Sequence, residues 1–344
     1  MKKITRFALL SLLVLSLFVL SGCSAFIPQN QPKITKSYPK ETAPSQVIRT
    51  ENQWVMLHNT YGSQSYTISV GESLDSAKNV YSVKNVSIWY FEADESCVAW
   101  CEKSSDFYTY KVFDFETQEV ISIFKITTDS EYQPQNVGVY MGDVYYCTIN
   151  YDTQQVQVNA YDIATKSTTE IIKAALENSY QPYSINVEND YLTFSCSGKI
   201  TVLALQNGEP VFDSILPDGI KRVFAASYDS KNETAAIYYS DNDGEHIGIL
   251  KEGEGDISSV FTFNKNHYAY QDKIACYDGH LYWVTQANVS GNISDHYKFV
   301  DYNYLEHTVT ETDKAFDFCY DENDFYILRF NKRGNYTHIN LCQY

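Results

Sequence analysis

Gly142-Asp143-Val144-Tyr145-Tyr146, Asn189-Asp190-Tyr191-Leu192, Gly279-His280-Leu281-Tyr282-Trp283 and Asn323-Asp324-Phe325-Tyr326 share one pattern: a short polar turn followed at once by an apolar, aromatic-rich run. Weaker copies are Asn52-Gln53 before Trp54-Val55, Asp94-Glu95 before Ser96-Cys97, and Asn232-Glu233 before Thr234-Ala235. The second turn residues fall at 53, 95, 143, 190, 233, 280 and 324, with gaps of 42, 48, 47, 43, 47 and 44. Other landmarks keep the same period. Tyr132-Gln133-Pro134 recurs as Tyr180-Gln181-Pro182, Phe113-Asp114-Phe115-x-Thr117 as Tyr161-Asp162-Ile163-x-Thr165, and Cys276-Tyr277-Asp278 as Cys319-Tyr320-Asp321.

Within each unit the apolar residues alternate with polar ones, as in Tyr66-Thr67-Ile68-Ser69-Val70 and Val156-Gln157-Val158-Asn159-Ala160. Period two, enrichment in Val, Tyr and Phe, and turns every 8–12 residues predict short antiparallel strands. Only Thr169 to Asn178 reads as room for a helical turn or two. Four strands fit a unit of about 45 residues, the size of a propeller blade, and β-solenoid repeats are usually shorter. The fold expected is therefore all-β, a β-propeller of seven four-stranded blades, with six or eight as the neighbouring counts. The last unit holds three strands, near Phe316–Tyr320, Phe325–Phe330 and Tyr336–Cys342, so ring closure needs a fourth from the N-terminal side. Lys33–Tyr38 is the nearest candidate, and closure removes unpaired strand edges.

The first 23 residues read as an export signal. Lys2, Lys3 and Arg6 precede an apolar run from Ala8 to Leu20, and Leu20-Ser21-Gly22-Cys23 closes it. The run is too short for a permanent membrane span. The closing tetrapeptide resembles the bacterial lipoprotein lipobox. That resemblance implies lipid attachment at Cys23, a palmitate-type acyl anchor, and cleavage before it. The expected organisation is a signal peptide over 1–22, a lipidated Pro-rich tether over 23–45 and a propeller over 46–344. The expected location is the extracytoplasmic side of a cell membrane.

Residues 1–22 carry three of the 26 basic residues and none of the 43 acidic ones, so the mature chain is 23 against 43, or −20. This balance excludes nucleic acid as a partner, since phosphate recognition needs clustered Lys and Arg. An envelope protein or a glycan remains. Seven cysteines follow Cys23, an odd number for a disulfide framework. On one strand Cys97 and Cys101 share a face but stand about 13 Å apart, too far to bridge.

The units resemble the degenerate blades of quinoprotein-like and YncE-like extracytoplasmic propellers, in which an aromatic-Asp-apolar-x-Thr turn joins the outer strands. The resemblance implies a fold and a cell-envelope setting, with no cofactor and no particular activity. Sialidase propellers hold the substrate carboxylate with three arginines. The mature chain has only Arg49, Arg222, Arg329 and Arg333, and its one stretch near their Asp-box pattern, Ser240 to Ile247, lacks the Asp and the Trp. There is no Gly-x-Ser-x-Gly, no phosphate loop and no zincin spacing among the seven histidines, which read as surface or turn residues. Asp241 and Asp243 before Gly244 suit either a calcium loop or an ordinary hairpin turn, and the turn reading prevails because further ligands are missing.

No catalytic or metal residue is thus assigned. The candidate ligand face consists of Tyr132, Gln133, Tyr180 and Gln181, read as lying in connectors between blades, with Asp241 and Asp243 in a loop between second and third strands. These connectors and loops share one face of a propeller. The function expected is a ligand-binding or protein-scaffold module of the cell envelope. The alternative is a glycosidase using two acidic residues on that face, which requires two carboxylates about 5–10 Å apart with at least one held neutral.

Overall fold

A computed structural model of the chain describes residues 33–59, 64–128, 132–176, 184–188, 190–196, 198–252, 256–287, 296–320, 324–333 and 336–344. Their regular structure is 28 strands in seven four-stranded antiparallel sheets. Blades 1 to 6 occupy 44–84, 87–127, 132–175, 184–215, 222–262 and 267–313, each a meander of four consecutive strands. Blade 7 takes three strands, Ala315–Tyr320, Phe325–Arg333 and Tyr336–Gln343, and borrows its fourth, Lys33–Pro39, from the other end of the chain. The closing strand is the one that the strand count demanded, and it lies inside the stretch read as tether.

The seven first strands are Pro44–Arg49, Ser87–Ala93, Tyr132–Tyr140, Ser184–Glu188, Arg222–Asp229, His267–Tyr277 and Ala315–Tyr320. Most successive ones touch, so they form the inner wall around the axis. Gly138 shows how tightly they approach: a Cβ there would lie 2.4 Å from the Val187 side chain on the next blade. Six of the seven first strands carry a register shift against the second strand. Such bulges bend a strand and increase its twist.

The repeated motifs have identifiable work. Met141-Gly142 and Asp278-Gly279 take positive φ at both residues (49° and 86°; 51° and 83°), the backbone of the tight hairpin turn that favours glycine second. In the aromatic-Asp-apolar-x-Thr turns, Thr117 and Thr165 each donate to the Asp114 and Asp162 carboxylates at 2.7 Å. The outer turn is tied back to the inner one by Phe115 N to Ser96 O (2.9 Å) and Ile163 N to Gly142 O (3.3 Å). The stretch from Thr169 is a strand, Ser167–Ala175, rather than a helical turn. Pairing with Gln155–Asp162 decides its conformation over local propensity.

The apolar core lies between neighbouring blades, with Trp100, Trp283, Phe299 and Phe318 fully buried there. All seven described cysteines are buried and none forms a disulfide, Cys97 and Cys101 among them on one strand. Blade junctions also carry polar ties. Asp229, 1% exposed, accepts Lys231 N and Asn232 N from its own turn, and Gly279 N (2.7 Å) and Tyr304 OH (2.7 Å) from the next blade. Burial pushes its carboxyl up, but these donors outweigh it and hold the pKa below the usual value. Asp94 repeats the arrangement toward Gly142 N at 3.4 Å.

Removing the Asp229 carboxylate would strand five donors at the junction, the Asn232 side-chain amide included. Asp229→Ala is expected to cost about 3 kcal/mol, read as a lower urea midpoint with an unchanged slope. Asp243→Ala, on an exposed turn, is expected to cost less than about 0.5 kcal/mol. Equal midpoints for the two variants would refute the junction role.

Candidate functional site in the central channel

Of the residues assigned from the sequence, Tyr132, Gln133, Asp241 and Asp243 are described, on blades 3 and 5. Tyr132 and Gln133 belong to the first strand of blade 3, where they pair with Asn150 and Ile149, and not to the connector before it. Proline is tolerated there because the strand is at a sheet edge and its register shifts just after Pro134. Tyr180 and Gln181 lie outside the described residues. Asp241 and Asp243 sit in the turn between the second and third strands of blade 5. Asp241 accepts Asp243 N at 2.7 Å and Gly244 N at 3.2 Å, and pairs with His246 Nε2 at 3.0 Å, so it serves as a turn cap. His246, read as a surface or turn residue, is buried between that carboxylate and Thr262. Among the described residues no group of three or more His, Cys, Asp or Glu side chains could hold a metal ion.

What the ring does bring together is a set of charges on its inner wall. Glu92 (blade 2), Glu188 (blade 4), Lys273 (blade 6) and Asp317 (blade 7) all stand on first strands. Lys273 Nζ donates to Asp317 Oδ1 at 2.9 Å and to Phe318 O at 2.6 Å, joining blades 6 and 7. The other oxygen of Asp317 accepts Val47 N of blade 1 at 3.3 Å. Ser227 of blade 5 donates to Glu188 and accepts Cys276 N of blade 6 at 2.8 Å. Asn186 completes the shell of Glu188 at 3.1 Å.

Glu92 differs from the rest. Among the described residues neither a hydrogen bond nor an ion pair reaches its carboxylate. It feels Lys273 and Asp317 from the opposite side of the ring and acts in turn on Glu188, so it faces the axis. Glu92 keeps solvent-exposed surface. Desolvation raises it to about 7, partly opposed by Lys273 and reinforced by Asp317. Glu188 also rises to about 7, chiefly by desolvation and against the bonds from Ser227 and Asn186. Lys273 loses from burial, but Asp317 and Glu92 outweigh this and raise its pKa.

The position along the strands also matters. Glu188 pairs with Tyr191 at the hairpin joining first and second strands, and Glu92 stands next to the end of its own strand. Glu92 and Glu188 therefore lie toward the end of the ring at the inner hairpin turns, whereas Lys273 and Asp317 stand in mid-strand. Sequence reasoning missed them because nothing near Glu92 or Glu188 in the chain marks either as special. A separate groove of about 610 Å³ between the turns of blades 2 and 3 is lined by Glu95, Asp114, Asp162 and Met141. Its Asp114, Asp162 and Glu95 carboxylates are occupied in turn and junction bonds, so folding accounts for them.

No protein-family model matches the chain, and no curated protein sequence does. Solved structures share its fold. The β-propeller domain of the Trilobed protease from Pyrococcus furiosus, described as having an open velcro topology, superposes at a TM-score of 0.55 with 11% identity, over 88% of this chain and 96% of that one. Pyrococcus horikoshii acylaminoacyl peptidase gives 0.55 and 12% over 91% of this chain and 54% of its own. The Cps50 (Swd1) β-propeller domain of Myceliophteria thermophila gives 0.54 and 8% over 90% and 99%. At such identities the likeness is one of fold, and here the ring is closed by the N-terminal strand.

The channel carboxylates carry a pH signature. The folded state keeps protons that the unfolded chain releases above about 4.5, so their contribution to stability falls as pH rises through about 7. Melting temperature is expected to drop by roughly 3–6 °C between pH 5.5 and 8, and the drop should be at least halved in Glu92→Gln/Glu188→Gln. An unchanged drop in the double variant would rule out the channel as its source.

Proposed function

We propose that this chain is a lipid-anchored extracytoplasmic β-propeller of the bacterial cell envelope that binds a ligand through its central channel. The observation that carries the reading is Glu92, a channel carboxylate that is costly to ionise and makes no bond that holds blades together. Structural ties explain its neighbours, whereas a solute entering the channel would explain Glu92. The anchor rests on Leu20-Ser21-Gly22-Cys23 and the charged, apolar leader before it. Kinship with quinoprotein-like and YncE-like envelope propellers is part of the same reading, supported by the Asp–Thr turns at 114–117 and 162–165. For a protein partner, the half-open Trp89, flanked by Tyr108 and by Lys103 Nζ at 4.5 Å, offers an aromatic contact.

One observation favours a second reading, glycoside hydrolysis: two carboxylates on inner strands of the ring, Glu92 and Glu188, both have their pKa raised to about 7. In that reading they stand in the channel rather than on the loop-rich face.

In a cell fractionation of the full chain, the wild type is expected in the membrane pellet and Cys23→Ser in the soluble extracytoplasmic fraction. Retention of the variant with the membrane would remove the lipid anchor from the reading. A glycan and peptide array probed with the soluble Cys23→Ser chain is expected to give hits that Glu92→Gln abolishes. Hits insensitive to Glu92 would move the site out of the channel. Release of sugar from a panel of chromogenic glycosides, lost in Glu92→Gln, would favour the hydrolase.

A further inference from the structure

Trp89 is the tryptophan that the fold leaves open. It is 37% exposed, whereas Trp54, Trp100 and Trp283 are at 7% or less. The backbone shows how it is turned outward. Tyr90 takes a φ of 51° where the register shifts between Trp89 and Phe91. Of the ten described non-glycine residues with positive φ, Tyr90 alone lies inside a strand, and the others lie in turns or between strands. A bulge re-aims a side chain, and a bulky residue stays in the left-handed region only where its surroundings impose it. What the bulge creates is an aromatic corner beside the loop between the second and third strands of blade 2. Tyr90 meets the Trp89 ring edge-on at 6.1 Å, and Tyr108 lies 5.8 Å from it. Lys103 Nζ stands 4.5 Å from the centre of the Trp89 ring and 5.4 Å from that of Tyr108.

Two features of this corner are not explained by folding. Among the described residues neither a hydrogen bond nor an ion pair reaches the Lys103 ammonium, in a chain with 43 acidic residues. The adjacent Glu102 is engaged elsewhere, with Lys111 Nζ at 2.9 Å and Trp100 Nε1 at 2.9 Å. The corner is also small. The other large exposed apolar residue described on blade 2, Val120, pairs with Phe113 at the opposite end of the blade. A protein interface takes about 800 Å² from each partner, whereas one open indole with a flanking phenol matches the footprint of a single sugar ring.

We infer that this corner binds an acidic sugar, a pyranose ring bearing a carboxylate, as in a hexuronic acid residue of a glycan. The apolar C–H face of the pyranose packs on the indole and the Tyr108 ring. The carboxylate accepts charge-assisted hydrogen bonds from Lys103 Nζ, whose three N–H donors have no other described acceptor. A neutral sugar would gain the stacking and leave the ammonium unmet. The site stands apart from the channel carboxylate, because Glu92 lies three residues further along the strand, toward the inner hairpin. It therefore holds or fails independently of the channel-binding reading.

Calorimetric titration of the soluble Cys23→Ser chain with trigalacturonic acid at pH 7 tests this. Binding is expected, with a change in tryptophan emission because Trp89 is the open indole. Galactotriose, the neutral counterpart, and triglutamate, an acidic peptide without a sugar ring, are each expected to bind about tenfold or more weakly. Lys103→Gln should bring the affinity for trigalacturonic acid down to that for galactotriose and leave galactotriose unchanged, and Trp89→Ala should weaken both. Lys298→Gln, which removes a lysine already paired with Glu311 on blade 6, should change neither. Lys103 ties no blades together, so Lys103→Gln is expected to melt with the parent, which confirms its fold. No binding of trigalacturonic acid, equal affinity in Lys103→Gln, or a match by galactotriose or triglutamate would overturn the inference. Array hits lost in Glu92→Gln but kept in Lys103→Gln and Trp89→Ala would likewise overturn it and leave the channel-binding reading standing.

Discussion

A seven-bladed ring must satisfy each junction between neighbouring blades, because one open junction exposes two sheet faces and the edges of the inner strands. Apolar packing covers most of that surface, and polar bonds set the geometry close to the axis. Asn52 bonds to Glu95 between blades 1 and 2, Tyr110 to Cys147 O between 2 and 3, and Asn136 to Ile185 O between 3 and 4. Ser227 links blade 5 to both of its neighbours, Lys273 meets Asp317 between 6 and 7, and Asp317 meets Val47 N where the ring closes. Every junction thus has a named tie, and outside it the N-terminal strand Lys33–Pro39 completes blade 7.

This arrangement gives the channel its character. Polar ties near the axis place carboxylates and a lysine where a hydrophobic lining would leave backbone groups unsatisfied. Most of the charge in the channel is therefore a by-product of holding the ring together. A buried ion pair contributes little net stability compared with an apolar pair, but breaking one partner away is costly. Lys273 and Asp317 fit that description. Glu92 stands apart: among the described residues neither a hydrogen bond nor an ion pair ties its carboxylate to another blade.

The sequence made the fold legible because a propeller repeats its turn chemistry in every unit. The polar turns at 142–143 and 279–280 and the Asp–Thr pairs at 114–117 and 162–165 are local devices, readable within five residues. The need for a closing strand followed from counting three strands in the last unit. The stretch from Thr169 misled because its outward side chains leave edge pairing as the only guide to its conformation. Tyr132-Gln133-Pro134 misled because proline normally argues against a strand, and the bulge that admits it is a tertiary feature. The channel set was invisible for a deeper reason: Glu92 and Lys273 are 181 positions apart, and only ring closure brings their charges into range.

The same long-range logic separates two kinds of negative charge on this chain. Most of its 43 acidic residues lie where solvent reaches them freely. There a Debye length of about 8 Å at physiological salt screens them from one another. Their joint effect is a diffuse field that repels anions and raises the local concentration of cations. On Glu92 and Glu188 desolvation acts instead, and it raises both to about 7.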